Sequence, residues 1–217
     1  MQMEALKLEQ IYIRRGSFLV RDINLSVEEG QICAIAGKGG SGKSSLIYAV
    51  GGALHPQAGR ILYDGRQMYE AEEQIRKEMS VIYDAPNFNT EMSPEKLVRE
   101  LMKFEPWFDR ETFAIYMEQL ELDPKLRVKL YSEGMQRKLM LILALCRGPK
   151  LLVMDEPTSG VDRQSRNVMW ELLMAYKKEK PLTVLFTTHH EEEIKQADRV
   201  FLMQNGNGKE AKDETIL

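Results

Sequence analysis

The sequence predicts one α/β domain over residues 1–217, with a parallel central sheet, an N-terminal antiparallel β subdomain and an inserted helical subdomain at about 86–147. Apolar segments at 6–13, 18–27 and 31–36, separated by Arg-Gly-Ser and Glu-Glu-Gly turns, predict a small antiparallel sheet at the start of the chain. Later apolar runs are short and alternate with helical patterns, which is typical of a parallel sheet. The inserted region carries helical patterns and no strand pattern.

The later elements follow in chain order. Buried parallel strands are predicted at residues 79–83, 151–154 and 182–187. Helices of the insertion are predicted at residues 94–104, 109–120 and 133–146. The polar segment 209–217, which follows Asn-Gly-Asn-Gly, is expected to fray.

Composition narrows the function classes. A chain of 217 residues that is 43% hydrophobic is large enough for one well-filled core. Its net charge of −3 lacks the basic field of a nucleic-acid binder, so no nucleic acid is expected as partner. Cys33 and Cys146 lie far apart in apolar stretches and are expected to be reduced core residues. Without a signal-peptide pattern or an apolar run near the roughly 20 residues of a membrane span, the chain is expected to be cytoplasmic.

A glycine-rich motif carries the strongest signal. It consists of Gly37, Lys38, Gly39, Gly40, Ser41, Gly42, Lys43 and Ser44, followed by Ser45. It lies between an apolar strand and a helix-compatible segment, as a phosphate-binding P-loop requires, and so predicts a P-loop NTPase core that binds ATP. Lys43 would reach the β- and γ-phosphates, and the Ser44 hydroxyl would bind Mg²⁺. An ordinary glycine-rich turn is the alternative, but this pattern arises by chance in roughly one chain in a hundred.

Two adjacent carboxylates follow the predicted strand 151–154. Asp155 and Glu156 would lie at the carboxyl edge of the sheet, where ligands of open α/β sheets bind. Asp155 is predicted to hold Mg²⁺, and Glu156 to act as the catalytic base on the attacking water. A strand that merely ends in solvent is the alternative, and the following Pro157 and SGVD turn argue against it.

The segment Tyr131-Ser132-Glu133-Gly134-Met135 precedes a predicted helix and resembles the LSGGQ signature of the ABC ATPase family. Ser132 and Gly134 match this signature, whereas the other three positions differ. The resemblance implies that the Ser132 hydroxyl and the Gly134 backbone amide are offered to the γ-phosphate held by an opposite subunit. An ordinary capped helix is the alternative for this segment alone.

The resemblance extends along nearly the whole chain. It implies that Asp162 contacts the opposite subunit and that His189 is a catalytic switch histidine, with His190 the weaker candidate. It also implies that Tyr12 stacks on adenine; Phe18 is a competitor, and either ring could simply pack in the sheet.

One position departs from the family pattern at a metal site. Asp84 stands where the family usually has glutamine, after the strand predicted at 79–83. A carboxylate oxygen binds Mg²⁺ as an amide oxygen does, so Asp84 is also predicted as a metal ligand. An ionised carboxylate donates no hydrogen bond, so the coupling role that the family gives this loop carries over to Asp84 less fully than the metal role does.

The family resemblance implies a mechanism and partners. ATP and Mg²⁺ would be held between two subunits in a head-to-tail homodimer or heterodimer, and hydrolysis would drive a transmembrane permease encoded as a separate chain. The segment from Asp84 to Phe113 resembles ATP-binding subunits of bacterial drug and antibiotic-peptide exporters. The chain would then lie at the inner face of the cell membrane, with Phe88, Trp107 and Phe108 near the docking site unless they form a small core.

Two other classes stay open at this point. The first is a soluble ABC ATPase, for example one in cofactor assembly. The second is a P-loop kinase, which would need an acceptor pocket in place of YSEGM and the Thr188-His189 pair. The transported substrate and the direction of transport lie mainly in the permease and are not predicted.

Overall fold

The computed structural model describes residues 4–211. Its strands are β1 Glu4–Arg15, β2 Phe18–Glu28, β3 Ile32–Ala36, β4 Ala58–Tyr63, β5 Arg66–Gln67, β6 Met79–Ile82, β7 Leu151–Met154, β8 Thr183–Thr188, β9 Arg199–Gln204 and β10 Asn207–Glu210. Its helices are α1 Lys43–Val50, α2 Glu72–Glu78, α3 Pro94–Leu101, α4 Arg110–Gln119, α5 Glu133–Leu145, α6 Arg163–Glu179 and α7 Glu191–Ile194, with a 3-10 turn at Val128–Leu130.

The strands form two sheets. A four-stranded antiparallel sheet has the order β2-β1-β4-β5, and a six-stranded sheet has the order β10-β9-β3-β8-β7-β6. In the second sheet all neighbours pair in parallel except β9 and β10, which form an antiparallel edge. The predicted α/β class, with a parallel central sheet and an antiparallel opening, is confirmed.

Strand β3 was predicted in the antiparallel opening, and this placement is wrong. It lies inside the parallel sheet, between β8 and β9. All five of its residues are buried, as is typical of a strand covered on both faces, whereas β1 alternates between buried and exposed positions over much of its length. The expected fraying of 209–217 is also wrong where it can be tested, because residues 207–210 form β10; residues 212–217 lie outside the described ones.

The helical insertion contains α3, α4, α5 and the 3-10 turn, and no strand between residues 86 and 147. Within the described residues 4–211 it has no core separate from that of the central sheet. Phe113 of α4 and Leu139 of α5 belong to the same buried apolar cluster as Leu152 and Phe186 of the central sheet. The opposite face of the sheet packs on α1 and on β1, β2 and β4 through a second cluster. The insertion is therefore packed into the domain and is not an independent unit.

Cys33 and Cys146 are both buried and free, as the sequence predicts. Burial raises the pKa of each thiol to about 12, which keeps both protonated at neutral pH. Between residues 4 and 211, every helix is too short or too polar to cross a membrane.

Candidate nucleotide-binding site

The glycine-rich loop joins the end of β3 to the start of α1, at the carboxyl edge of the parallel sheet. Gly42 caps α1 with a φ of 108°, a left-handed backbone conformation that residues other than glycine rarely adopt. At Gly37, a Cβ atom would collide with the backbone carbonyl oxygen of Met203 in β9. These two glycines therefore let the loop turn tightly against β9 and start the helix. The backbone is shaped as an anion-binding loop at a helix N-terminus requires.

Lys43 is folded back into its own loop. Its side chain is 4% exposed, and its Nζ donates to the Gly37 carbonyl oxygen at 2.8 Å and to that of Lys38 at 3.4 Å. The same Nζ lies 3.3 Å from Oε1 of Glu156. A phosphate entering the loop therefore competes with these oxygens for the ammonium group.

Asp155 follows β7 and is 1% exposed. Its Oδ1 accepts a hydrogen bond from Oγ1 of Thr187 at 2.7 Å, while Oδ2 is buried without a hydrogen-bond partner among the described residues. Burial raises the pKa of Asp155, the hydroxyls of Thr187 and Ser44 oppose this rise, and the negative charges of Asp84 and Glu156 add to it. The site thus concentrates carboxylate charge beside one unpaired oxygen.

These groups fit a divalent cation. The Ser44 hydroxyl and the unpaired Asp155 oxygen are hard oxygen ligands of the kind that Mg²⁺ prefers. Residues 4–211 contain no cluster of three His, Cys, Asp or Glu side chains able to hold a metal alone.

Glu156 and His189 lie side by side at the ends of neighbouring strands. Nδ1 of His189 is 3.4 Å from Oε2 of Glu156, whose other oxygen faces Lys43. Glu156 has a φ of 43°, a left-handed conformation that is uncommon in non-glycine residues. Its backbone N–H donates to Thr187 Oγ1 at 2.8 Å, so one hydroxyl orients both acidic residues. Sequence reasoning missed Thr187, which only the pairing of β7 with β8 brings to the site.

The other histidine, His190, stacks beside His189 with ring centroids 4.2 Å apart. Burial lowers the pKa of His190, with a further contribution from the positive charge of Arg166. The structure places no carboxylate of the nucleotide site within ion-pair distance of His190 among the described residues, whereas His189 has Glu156. Of the two, His189 has the geometry of a site residue.

Asp84 lies just after β6 and is exposed. Its Oδ1 accepts a hydrogen bond from the Tyr48 hydroxyl at 3.3 Å, and its negative charge adds a smaller contribution, after burial, to the raised pKa of Asp155. The ring of Tyr48 stacks on Tyr83 with centroids 5.1 Å apart. Tyr48 was not anticipated, because a tyrosine on the helix after a P-loop has no distinctive sequence pattern.

The two candidate adenine-stacking rings differ in position. Tyr12 is 37% exposed on β1, opposite Ala58 of β4. Phe18 is partly buried, and its ring carbon Cε1 lies 3.2 Å from where a Cβ atom would stand on Gly42. Phe18 therefore packs on the start of α1, whereas Tyr12 keeps a ring available to a ligand.

The signature residues lie at the N-terminus of α5. Ser132 caps this helix, its Oγ accepting from the Met135 N–H at 3.2 Å. A Cβ atom at Gly134 would lie 3.8 Å from Ser165 Oγ and 4.0 Å from Asp162 Oδ2, at the start of α6. Gly134 therefore faces the start of α6.

Asp162 is the N-cap of α6. Its Oδ1 accepts from the Ser165 N–H at 2.9 Å, and this hydrogen bond lowers the pKa of the Asp162 carboxyl. Glu133 stands where the signature has a glycine. Its carboxylate lies beside Gly160, in the turn before Asp162. The signature and the SGVD turn thus form one continuous surface of the subunit.

Comparison with known proteins gives consistent relatives. A family model described as ABC transporter matches residues 20–159. The chain is 32% identical over 219 residues to Nod factor export ATP-binding protein I of Bradyrhizobium diazoefficiens, covering 95% of this chain and 70% of that protein. It is 27% identical over 183 residues to ABC transporter ATP-binding protein YtrB of Bacillus subtilis, covering 83% of this chain and less than two thirds, 62%, of that protein.

A solved structure supports the fold. A dimeric ATP-binding cassette in a post-hydrolysis state, bound to ADP and Pi, superimposes with a TM-score of 0.83 at 21% identity. The superposition covers 95% of this chain and 98% of that one. At this identity the likeness concerns the fold, in agreement with the order of strands and helices described above.

Proposed function

Because the chain belongs to the ABC transporter family, we propose that it is the ATP-binding subunit of a transporter and that it binds and hydrolyses ATP with Mg²⁺. Hydrolysis would drive a separate membrane permease, most simply in export. The observation that carries the proposal is the convergence of Lys43, Asp155, Glu156 and His189 at one edge of the sheet. Each has the chemical character that one part of phosphoanhydride hydrolysis requires.

The chemistry follows from the residues. The P-loop amides and Lys43 bind the β- and γ-phosphates, and Ser44 and Asp155 hold the metal. When bound, Mg²⁺ neutralises charge on the phosphates and the leaving group. Glu156 accepts a proton from the attacking water through the oxygen that Lys43 releases when it turns to the phosphates. His189 orients Glu156 and the γ-phosphate from the other side.

A head-to-tail dimer completes the site in this proposal. Ser132 and Gly134 present a hydroxyl and a helix N-terminus on a surface continuous with Asp162. In their own subunit Ser132 caps α5 and Gly134 faces the start of α6, so in this proposal an opposite subunit would supply both to the γ-phosphate. The structural neighbour bound to ADP and Pi is described as dimeric.

A groove beside the helical insertion is the proposed permease contact. It has a volume of about 420 Å³ and is lined by Phe88, Leu97, Leu101, Phe104, Met140 and Leu143, among others. Phe104 is 79% exposed and the nearby Trp107 is 44% exposed. The predicted contact residue Phe108 is 4% exposed and belongs to the core, so that part of the expectation is wrong. An amphipathic helix of the membrane partner fits such a groove, and holds the ATPase at the inner face of the membrane.

Two measurements test the proposal. The purified chain should release phosphate from ATP with Mg²⁺ and not with EDTA. A tagged chain should capture its permease from solubilised membranes, and Phe104→Asp should abolish the capture without lowering basal hydrolysis. Ile115→Asp is the matched control, since Ile115 is also exposed, at 53%, but lies on α4 away from the groove. Hydrolysis with capture of soluble proteins alone would favour the cofactor-assembly class instead.

A further inference from the structure

A buried carboxylate lies directly behind the catalytic edge. Glu193 belongs to the short helix α7, four residues after His189, and is 2% exposed. Within residues 4–211 it forms no ion pair with a lysine, arginine or histidine. Burial of an ionised carboxylate is costly unless donors surround it, so its surroundings require an explanation.

Three donors from three segments converge on Glu193. Its Oε1 accepts hydrogen bonds from the Thr158 hydroxyl and from Nε1 of Trp170, the latter at 3.3 Å. Its Oε2 accepts from the Thr188 hydroxyl. Both hydroxyls are buried, so water does not replace Glu193 as their acceptor.

The two threonines belong to the two catalytic loops. Thr158 lies two residues after Glu156, in the turn closed by the Ser159 N–H donating to the Glu156 carbonyl at 3.1 Å. Thr188 immediately precedes His189, and its Oγ1 also accepts from the His190 N–H at 3.0 Å. One carboxylate therefore ties the base loop to the histidine loop, and α6 anchors it through Trp170.

We propose that Glu193 is a positioning residue for ATP hydrolysis, which holds Glu156 and His189 at their 3.4 Å separation. The inference rests on the proposed function. A packed apolar side chain would fill the same space without a desolvation cost, whereas a carboxylate with two oxygens fixes two hydroxyls at a set separation. A misplacement of about 1 Å in such a pair costs on the order of a hundredfold in rate.

A glutamine tests this geometry with little change of volume. Its amide oxygen still accepts from Thr158 and Trp170, but its NH₂ group cannot accept from Thr188. The Thr188 hydroxyl oxygen would then accept from both the new amide and the His190 N–H, and its own hydrogen would lose its acceptor. The histidine loop should shift while the base loop keeps its bond.

The expected result of Glu193→Gln is a fall in kcat of about ten- to a hundredfold, with ATP affinity unchanged within about threefold. Thr188→Val should have a similar effect, Thr188→Ser should restore most of the rate, and the double variant should lose less than the product of the two losses. Glu192→Gln is the matched control, because Glu192 is the exposed neighbour that pairs with Arg163 and Arg166.

Amide hydrogen exchange provides a second measurement, made without nucleotide. In Glu193→Gln the His190 amide should exchange faster, while the Thr112 amide, bonded to Asp109 in the insertion, should not change. Unchanged kcat, or unchanged His190 exchange, would overturn the proposal. So would a loss of thermal stability with normal kcat, which describes a merely structural residue. A wild-type chain without ATPase activity would refute the proposed function and with it the catalytic role of Glu193, whereas an active wild-type chain with unchanged His190 exchange in Glu193→Gln would refute the positioning role alone.

Discussion

Replacement of Glu156 by glutamine separates catalysis from binding at the candidate site. The amide keeps the size of the side chain and can still accept from Lys43, but it cannot take a proton from water. We expect hydrolysis to slow by on the order of a hundredfold or more, the range for loss of a general base. At about 1.36 kcal/mol per tenfold in rate, this is a rise of about 3 kcal/mol or more in the barrier.

Binding should change in the opposite direction. In the free chain Lys43 lies 3.3 Å from a carboxylate oxygen that is part of a 26% exposed side chain, and phosphate must compete with that pair. A partly exposed pair of this kind is worth on the order of 1 kcal/mol, which is about fivefold in Kd. The variant also loses the repulsion between Glu156 and the γ-phosphate. It should therefore accumulate as an ATP-loaded dimer, whereas the nucleotide-free chain should be largely monomeric.

Three assays check this result. Phosphate release gives the rate, titration with a fluorescent ATP analogue gives Kd, and size-exclusion chromatography with light scattering gives the oligomeric state with and without ATP. Glu192→Gln removes one carboxylate from a nearby exposed position and should behave as wild type. Hydrolysis at the wild-type rate in Glu156→Gln would refute the reasoning and move the role of base to another residue, His189 first. A stable dimer independent of nucleotide would contradict the head-to-tail mechanism.

Two further predictions concern the phosphate loop and the helical insertion. Lys43→Ala should abolish ATP binding, because Lys43 is the main side-chain cation of a backbone-built cradle; unchanged affinity of a folded variant for a fluorescent ATP analogue would disprove the P-loop assignment. Asp109→Ala should destabilise the chain by about 1 kcal/mol at pH 7 in urea unfolding, since Asp109 caps α4 through the Thr112 N–H at 2.9 Å. The Thr112 hydroxyl lowers the pKa of Asp109 in the folded chain, so its contribution is present above about pH 4 and is lost as pH falls through the lowered pKa; a difference from wild type that grew in acid would contradict this.

The parts of the candidate site that are formed by contiguous residues could be predicted from the sequence alone. The P-loop, the Asp155-Glu156 pair and the strand β7 could be predicted because a strand, a turn and a helix follow one another in one short stretch. The structure brings Lys43, Glu156 and His189 together at the edge where ligands of such sheets bind. Their catalytic roles stay predictions until the variants are measured.

The remaining features depend on contacts between distant segments. The hydrogen bond between Thr187 and Asp155 spans 32 positions of sequence, and that between Thr158 and Glu193 spans 35. No local sequence pattern predicts either hydrogen bond. Strands β4 and β10 and the long helix α6 were not assigned, since partly exposed or polar segments carry weaker periodicity than buried ones. Strand β9 was also not assigned, although its segment RVFLMQ is apolar and half of its residues are buried. Phe108 was misplaced because adjacent aromatics do not reveal which ring points inward.

The absence of a separate core in the described part of the helical insertion has a mechanical consequence. Close-packed interiors are hardly compressible and pass on displacement instead of absorbing it. Met140 lines the groove proposed for the permease and belongs to the same apolar cluster as Met154, the last residue of β7 before Asp155. The proposed groove and the strand end that carries the acidic pair thus share one close-packed core. If the groove binds a membrane partner as proposed, a displacement at the phosphates would be passed through this core to that partner, and the reverse.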